Sequence, residues 1–280
     1  MKSKYFIVIV IFFILAGVFQ YDYDSHINYF AEKSIFVTLP KGESLEILSF
    51  GFKNFVADMI FIWSIQFYSN YNLKNRFEYI EDIYNIITDL TPKYKAPYYV
   101  GSWIMALELN DYKMAIRLLQ KASKNFKNEW DFDFESGYYA FKYLKDYKLS
   151  EKYYRKAAGK PGAPSFVKRW QAHSVYMEDN LTYAFKMWVE IKKSAKSKLE
   201  KNSALNHLYQ IKFEIDKNNL ENKVELFNQR FKKRPYNLEA LKRKGILNII
   251  PKDFNGDDYI YDFKTGKIKA RKVFRWKKFS

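Results

Sequence analysis

Asp253, Asn255 and Asp257 stand at alternating positions, the spacing with which a calcium loop presents its first three oxygen ligands. The continuation departs from that loop. Gly256 comes two residues too early and Lys264 stands where the closing bidentate Glu belongs, so a polar turn is favoured and calcium stays open. His26, His173 and His207 are separated by more than thirty residues, lie near no acidic pair at ligand spacing, and have no cysteine to join them, so no metal is expected. No Gly-rich loop precedes Lys-Ser or Lys-Thr, and there is no Gly-x-Ser-x-Gly elbow and no His-Glu-x-x-His. In Gly159-Lys160-Pro161-Gly162 the proline removes an amide that a phosphate would need. Asp131 and Asp133 are read as the charged first turn of a helix, facing the positive end of its dipole. No catalytic residue and no cofactor are expected, which leaves binding.

The elements that would position a binding surface announce themselves by recurrence. Asp111-Tyr112 before Ala122 returns as Asp146-Tyr147 before Ala157, and the turn before Ala115 returns as Asn180-Leu181 before Ala184, a spacing of 34 to 35 residues. A period of that length predicts stacked helical hairpins, an all-α solenoid offering a concave surface rather than a closed pocket. Hydrophobic residues make up 48% of the chain and Gly and Pro number only 10 and 7, which suits long helices with few tight turns.

Lys2 and Lys4 precede an apolar run from Tyr5 to Phe19 that extends through Tyr21 before Asp22 and Asp24 end it. Seventeen helical residues span roughly 25 Å, slightly short of a hydrocarbon core of about 30 Å. An uncleaved transmembrane helix over 1–21 is expected, with a cleaved signal peptide and a buried helix as alternatives; Ala16 and Gly17 are the only small residues for a peptidase. Lysines on the short side would stay in the cytoplasm, placing the rest of the chain in the periplasm, outside a bacterial inner membrane. A connector over 22–42 follows, with the turn signal Pro40-Lys41-Gly42, then a helical repeat domain over 43–249 and a terminal part over 250–280.

Within these bounds Glu43 to Asn70 is expected to be one long core helix, and Asp58 in it to need a Lys or Arg partner if buried. Residues 74–90 form its amphipathic partner. Gly159 to Pro164 is a helix stop and turn. Segments over 202–216 and 219–233, and a short helix from Leu238 to Lys244, would cap the stack. Tyr259 to Phe263 and Lys267 to Ala270 around a Lys-Thr-Gly turn predict a small β-hairpin.

Leu90-Thr91-Pro92 at a repeat end, Asn110-Asp111-Tyr112 in an interhelix turn, and Ala115 and Ala122 at packed positions resemble the tetratricopeptide repeat. The resemblance covers units over 95–127, 129–160 and 165–198, with a degenerate one over 43–92. It departs from the family at Ser150 and Ile191, where Ala is usual, and at Lys127, where Pro is usual. In that family the first helix of each pair lines the concave face with its fifth, ninth, twelfth and thirteenth side chains. The resemblance therefore implies a partner-binding groove of Tyr99, Trp103, Phe134, Tyr138, Phe141, Lys142, Arg169, His173 and Tyr176, mainly aromatic and cationic and suited to an acidic or aromatic peptide segment. Hairpin packing is the competing use of the same rings. The run Leu48 to Asp58, Pro161-Gly162-Ala163-Pro164 and the block Gly245 to Asp253 are similar to membrane-anchored bacterial repeat proteins of unassigned role. Ile250-Pro251-Lys252-Asp253 with Asn255-Gly256 and Tyr259 also resembles the closing motif of type II pseudopilins.

Charge bears on the choice of partner. The formal net charge is +17, and 8 of those positive charges fall in the last 17 residues, which hold no acid. There Arg271, Lys272, Arg275, Lys277 and Lys278 alternate with Val273, Phe274, Trp276 and Phe279, as in a segment lying on an anionic membrane or in an acidic groove; a final strand with solvated lysines is the alternative. The function expected is a membrane-anchored scaffold for protein partners in an envelope assembly, such as a pilus or secretion apparatus. A nucleic-acid binder using the basic surface, and an enzyme acting on envelope polymers, are the alternatives; a small-molecule substrate is not expected.

Overall fold

The structure, a computed structural model, describes residues 11–22 and 42–271. The chain is mostly helical and forms two compact units, Met1–Lys127 and Asn128–Ser280. The first holds α1 (11–22), α2 (Gly42–Leu48), α3 (Lys53–Ser69), α4 (Ile80–Leu90), α5 (Lys95–Trp103) and α6 (Tyr112–Asn125). The second holds α7 (Asp131–Tyr139), α8 (Tyr147–Ala158), α9 (Ser165–Met177), α10 (Leu181–Ser194), α11 (Lys198–Phe231), α12 (Leu238–Arg243), and the antiparallel strands β1 (Ile260–Asp262) and β2 (Lys267–Lys269). In the two strands Tyr261 pairs with Ile268. Among the described residues no helix is long and apolar enough to cross a membrane. The first part of the run from Tyr5 to Tyr21, residues 5–10, lies outside them.

The helix expected from Glu43 to Asn70 is two helices. Phe50 (φ 47°) and Gly51 (φ 90°) are consecutive left-handed residues, which no α-helix can pass through. α3 is also only half a core helix. Ala57, Phe61, Phe67 and Tyr68 are buried in the unit, but Phe52, Phe55, Met59 and Ile62 on the other side are 52 to 70% exposed, and nothing described covers them. Asp58 falls on the exposed side, so it needs no partner.

The three hairpins α5–α6, α7–α8 and α9–α10 turn by one device. The first helix ends on a non-glycine residue in the left-handed region, Asn110 (φ 58°), Lys145 (φ 54°) or Asp179 (φ 63°). The next residue then caps the second helix: Asp111 accepts from the amide of Met114 at 2.8 Å, Asp146 from that of Leu149 at 2.9 Å, and Asn180 from that of Tyr183 at 3.3 Å. In the first two hairpins the opening helix widens into a π turn, Ile104–Glu108 and Ala140–Leu144, just before the corner. The spacing of 34 to 35 residues thus has a local cause, a left-handed residue followed by an Asp or Asn cap.

Small residues let the helices approach. Ala115, Ala122, Ser150, Ala157 and Ala184 are fully buried, and Ser150 Oγ lies 3.0 Å from Ser174 Oγ. A methyl group on Gly101 would sit 2.6 Å from the Tyr84 ring, and one on Gly137 would sit 2.8 Å from the Tyr154 ring. Asp133 is fully buried between Lys156 (2.9 Å) and Lys160 (2.6 Å), and Lys160 also donates to the Glu129 carbonyl at 2.8 Å. Asp133 is therefore a buried ion pair tying α7 to α8 and the turn after it, not only a charged first turn.

α11 replaces the two segments expected over 202–216 and 219–233. Its 34 residues run unbroken through Asn218 and Asn219, which face solvent. Its buried face changes partner along its length. Ala204, Leu208 and Ile211 pack with Val175, Ala184 and Trp188 of α9 and α10. Leu220, Val224 and Phe227 pack with Leu241, Ile246, Tyr259 and Ile268. Tyr259 donates to Asp216 (2.7 Å) and Tyr209 to Asp253 (2.6 Å), pinning the terminal hairpin to the helix.

Tyr154 is fully buried, so its ring has no free direction in which to yield. Gly137→Ala should cost about 1–3 kcal/mol. Gly159→Ala, whose new methyl meets only backbone oxygens at 3.6 Å or beyond, should be nearly neutral. Urea unfolding of the two variants measures the difference.

Candidate functional site

α7, the π turn that follows it and α9 bring six of the nine groove residues together within the second unit. Phe134 meets Trp130, Phe166 and Tyr154 with ring centroids 5.9, 5.2 and 5.3 Å away. Tyr138 lies 6.3 Å from Trp170, edge to face, and its hydroxyl accepts from Lys142 Nζ at 2.8 Å. That hydrogen bond raises the Lys142 ammonium above its ordinary value. His173 stacks on Tyr176 at 6.0 Å, and the Tyr176 hydroxyl donates to Glu214 at 2.7 Å. Arg169 donates to Glu200 at 3.0 Å, and Ser165 donates to the same carboxylate oxygen at 2.6 Å.

Phe141 belongs elsewhere. It is buried, with its ring between Tyr147 (5.2 Å) and Trp170 (5.3 Å), so it packs the hairpin rather than facing a partner. Tyr99 and Trp103 sit in the first unit, 6.0 Å apart, with Trp103 half exposed beside exposed Leu107. Arg271 is exposed; Lys272, Arg275, Trp276, Lys277 and Lys278 lie outside the described residues, as does His26. Asp253 is engaged within its own turn and by α11. Its Oδ1 accepts the amides of Asn255 and Asp257 at 2.9 Å each, and its Oδ2 accepts from Tyr209. Burial works to raise this carboxyl, but those donors outweigh it and hold its pKa below the ordinary value. Among the described residues no three His, Asp or Glu side chains gather as a metal site would require.

Position-by-position reasoning missed the residues that complete the surface. Phe166 and Trp170 of α9, Trp188 of α10 and His207 of α11 join Arg169, His173 and Ser203 around a recess of about 240 Å³. His207 stacks on Trp188 with centroids 3.7 Å apart and planes 14° from parallel, and lies 6.0 Å from His173. The signal was the period itself. His173 and His207 are 34 residues apart, one repeat, which makes them neighbours in successive hairpins rather than isolated.

Burial keeps both imidazoles neutral. It lowers His173 below the usual 6.5, and it takes His207 to about 3 with help from the charge His173 would carry. Compared with protein-family models, curated proteins and solved structures, the chain matches none.

A histidine with its folded pKa below its unfolded one binds fewer protons in the native state, so stability is complete above pH 6.5 and falls as the pH drops toward about 3. Between pH 7 and pH 5, His207 alone should cost on the order of 2 kcal/mol. His207→Phe should flatten that part of the thermal-stability profile; an unchanged slope would show that the native imidazole titrates normally.

Proposed function

We propose that the chain is a tetratricopeptide-like scaffold that holds a protein partner against the aromatic face of α7 and α9. The observations that carry this are two runs of partly exposed rings, Trp130, Phe134 and Phe166 in one and Tyr138, Trp170, His173 and Tyr176 in the other, with Lys142 and Arg169 beside them. Trp, Tyr and Arg carry most of the energy at protein interfaces, because they bury much area at little entropic cost and end in a polar group. The spacing of the corners and the small residues at the helix contacts support the tetratricopeptide likeness.

The second half of the proposal is a tether. The apolar run from Tyr5 to Tyr21 supports an N-terminal membrane anchor, with Lys2 and Lys4 on the cytoplasmic side and the hairpins in the periplasm. Residues 11–22 are helical, and Phe12, Phe13 and Phe19 are more than 70% exposed, as lipid-facing rings would be. An envelope assembly is the partner class that this placement favours.

A photoreactive residue at Tyr138 should trap a protein in intact cells, and Trp170→Ala should weaken that capture by about 2 kcal/mol, some thirtyfold. The same residue at Tyr236, exposed on the terminal part of the unit, serves as the control. Absence of any adduct at Tyr138, or salt-sensitive retention of DNA or RNA by the chain in its place, would reject the scaffold. Fractionation tests the tether: deletion of residues 1–21 should move the chain out of the membrane fraction.

A further inference from the structure

The outer side of α3 carries an apolar surface that nothing described covers. Phe52, Phe55, Met59 and Ile62 recur at intervals of three and four, so they form one stripe about 15 Å long, opposite the buried Ala57, Phe61 and Tyr68. The stripe continues onto the left-handed corner, where Phe50 is 86% exposed, and onto Ile47 of α2 at 79%. At about 200 Å² per phenylalanine, Phe50, Phe52 and Phe55 alone leave more than about 400 Å² in water. With the aliphatic residues beside them, the surface passes the roughly 300–600 Å² of the largest apolar patch on an ordinary monomer.

We propose that this α2–α3 face lies in the interfacial layer of a lipid bilayer, the one to which the chain is tethered. The proposal rests on the reading of the apolar run to Tyr21 as a membrane anchor and adds a second, separate contact with the same bilayer. The position of the face along the chain favours lipid. α1 ends at residue 22 and α2 begins at Gly42, so the 19 residues between them reach at most about 65 Å. α2 and α3 are thus the first described elements after the anchor, and a surface held that near a bilayer meets it at high effective concentration. α1 does not itself cover the face, since all its residues from 11 to 22 are exposed.

Composition agrees. A helix lying in the interface sinks its apolar side by about 5–10 Å, a depth that phenylalanine and methionine side chains can fill. Trp63 stands at the edge of the stripe, partly exposed, and tryptophan is a residue type that settles at headgroup level. Charge does not oppose the contact. Lys53 is paired with Glu46 at 2.7 Å, while Asn54 and Asp58 turn aside to line a recess with Thr91, Pro92 and Lys93.

The chain contains no cysteine, so Phe55→Cys in the full chain accepts a single environment-sensitive dye. The labelled chain is reconstituted in vesicles of phosphatidylcholine and phosphatidylglycerol, with and without a nitroxide near the top of the acyl chains. Lys124→Cys, at an exposed position on α6 of the same unit, is the control. The nitroxide should quench the dye at position 55 and leave the dye at 124 bright. Adding Phe52→Glu, at an exposed position where the fold tolerates it, should lower the ratio of lipid-seated to free face at least about tenfold, the effect of withdrawing one phenylalanine side chain from an apolar surround. A chain that floats with the vesicles but shows equal quenching at both positions overturns the proposal and leaves the tether standing. A chain that does not float overturns both. Disulfide-linked dimers of the unlabelled Phe55→Cys chain, with the dye at 55 unquenched, assign the face to a second copy and overturn the lipid contact.

Discussion

The close approach of paired helices governs both units. Where Gly101 faces Tyr84 and Gly137 faces Tyr154, there is no room for even one methyl group, and the alanines and serines at the other contacts keep the backbones similarly near. Closely packed backbones leave interior volume for only some of the rings this chain carries. Some, such as Tyr84, Tyr98, Tyr139 and Tyr154, are fully or almost fully buried, Tyr84 and Tyr154 directly against Gly101 and Gly137. The rest are displaced to the helix faces. An aromatic surface on α7 and α9 is thus a geometric result of small residues at the seam, and the seam must be kept if the surface is to exist.

The polar groups follow the same division. Asp133, Asp216 and Asp253 are buried and each is met by cations, hydroxyls or amides, so they fasten elements together and contribute no reactive charge. Burial also pushes Tyr84 up to about 12, holding its phenol protonated against the Ser64 hydroxyl. On the α9 face the pattern changes, because Trp188 and His173 stay unsatisfied while Arg169 and Tyr176 at its borders are tied to Glu200 and Glu214.

Much of this order was readable along the chain, and what escaped did so for identifiable reasons. The corners were legible because Asp111, Asp146 and Asn180 are cap residues at regular spacing, and the terminal hairpin because large residues alternate around Lys264-Thr265-Gly266. The break at Phe50 and Gly51 was hidden by apolar residues on either side that could all belong to one helix. The pattern predicts two helices where α11 runs because its buried stripe shifts from Ala204, Leu208 and Ile211 to Leu220, Val224 and Phe227, a change of neighbour rather than of direction. The recess is not legible from the family pattern, since Trp188 sits on a second helix and His207 on α11, outside the first-helix positions that line a tetratricopeptide groove. Distance along the chain misled most at the histidines, which one full period makes adjacent.

The corners carry a further implication. Each hairpin brings its own left-handed residue and its own carboxylate or amide cap, supplied from within its own turn. Within the second unit the two hairpins α7–α8 and α9–α10 therefore have separable bends: duplicating one of them would leave every corner chemically complete, and only the surfaces newly brought together would need to agree. α11, with one end on the last hairpin and the other on the strands, is the point at which that freedom stops.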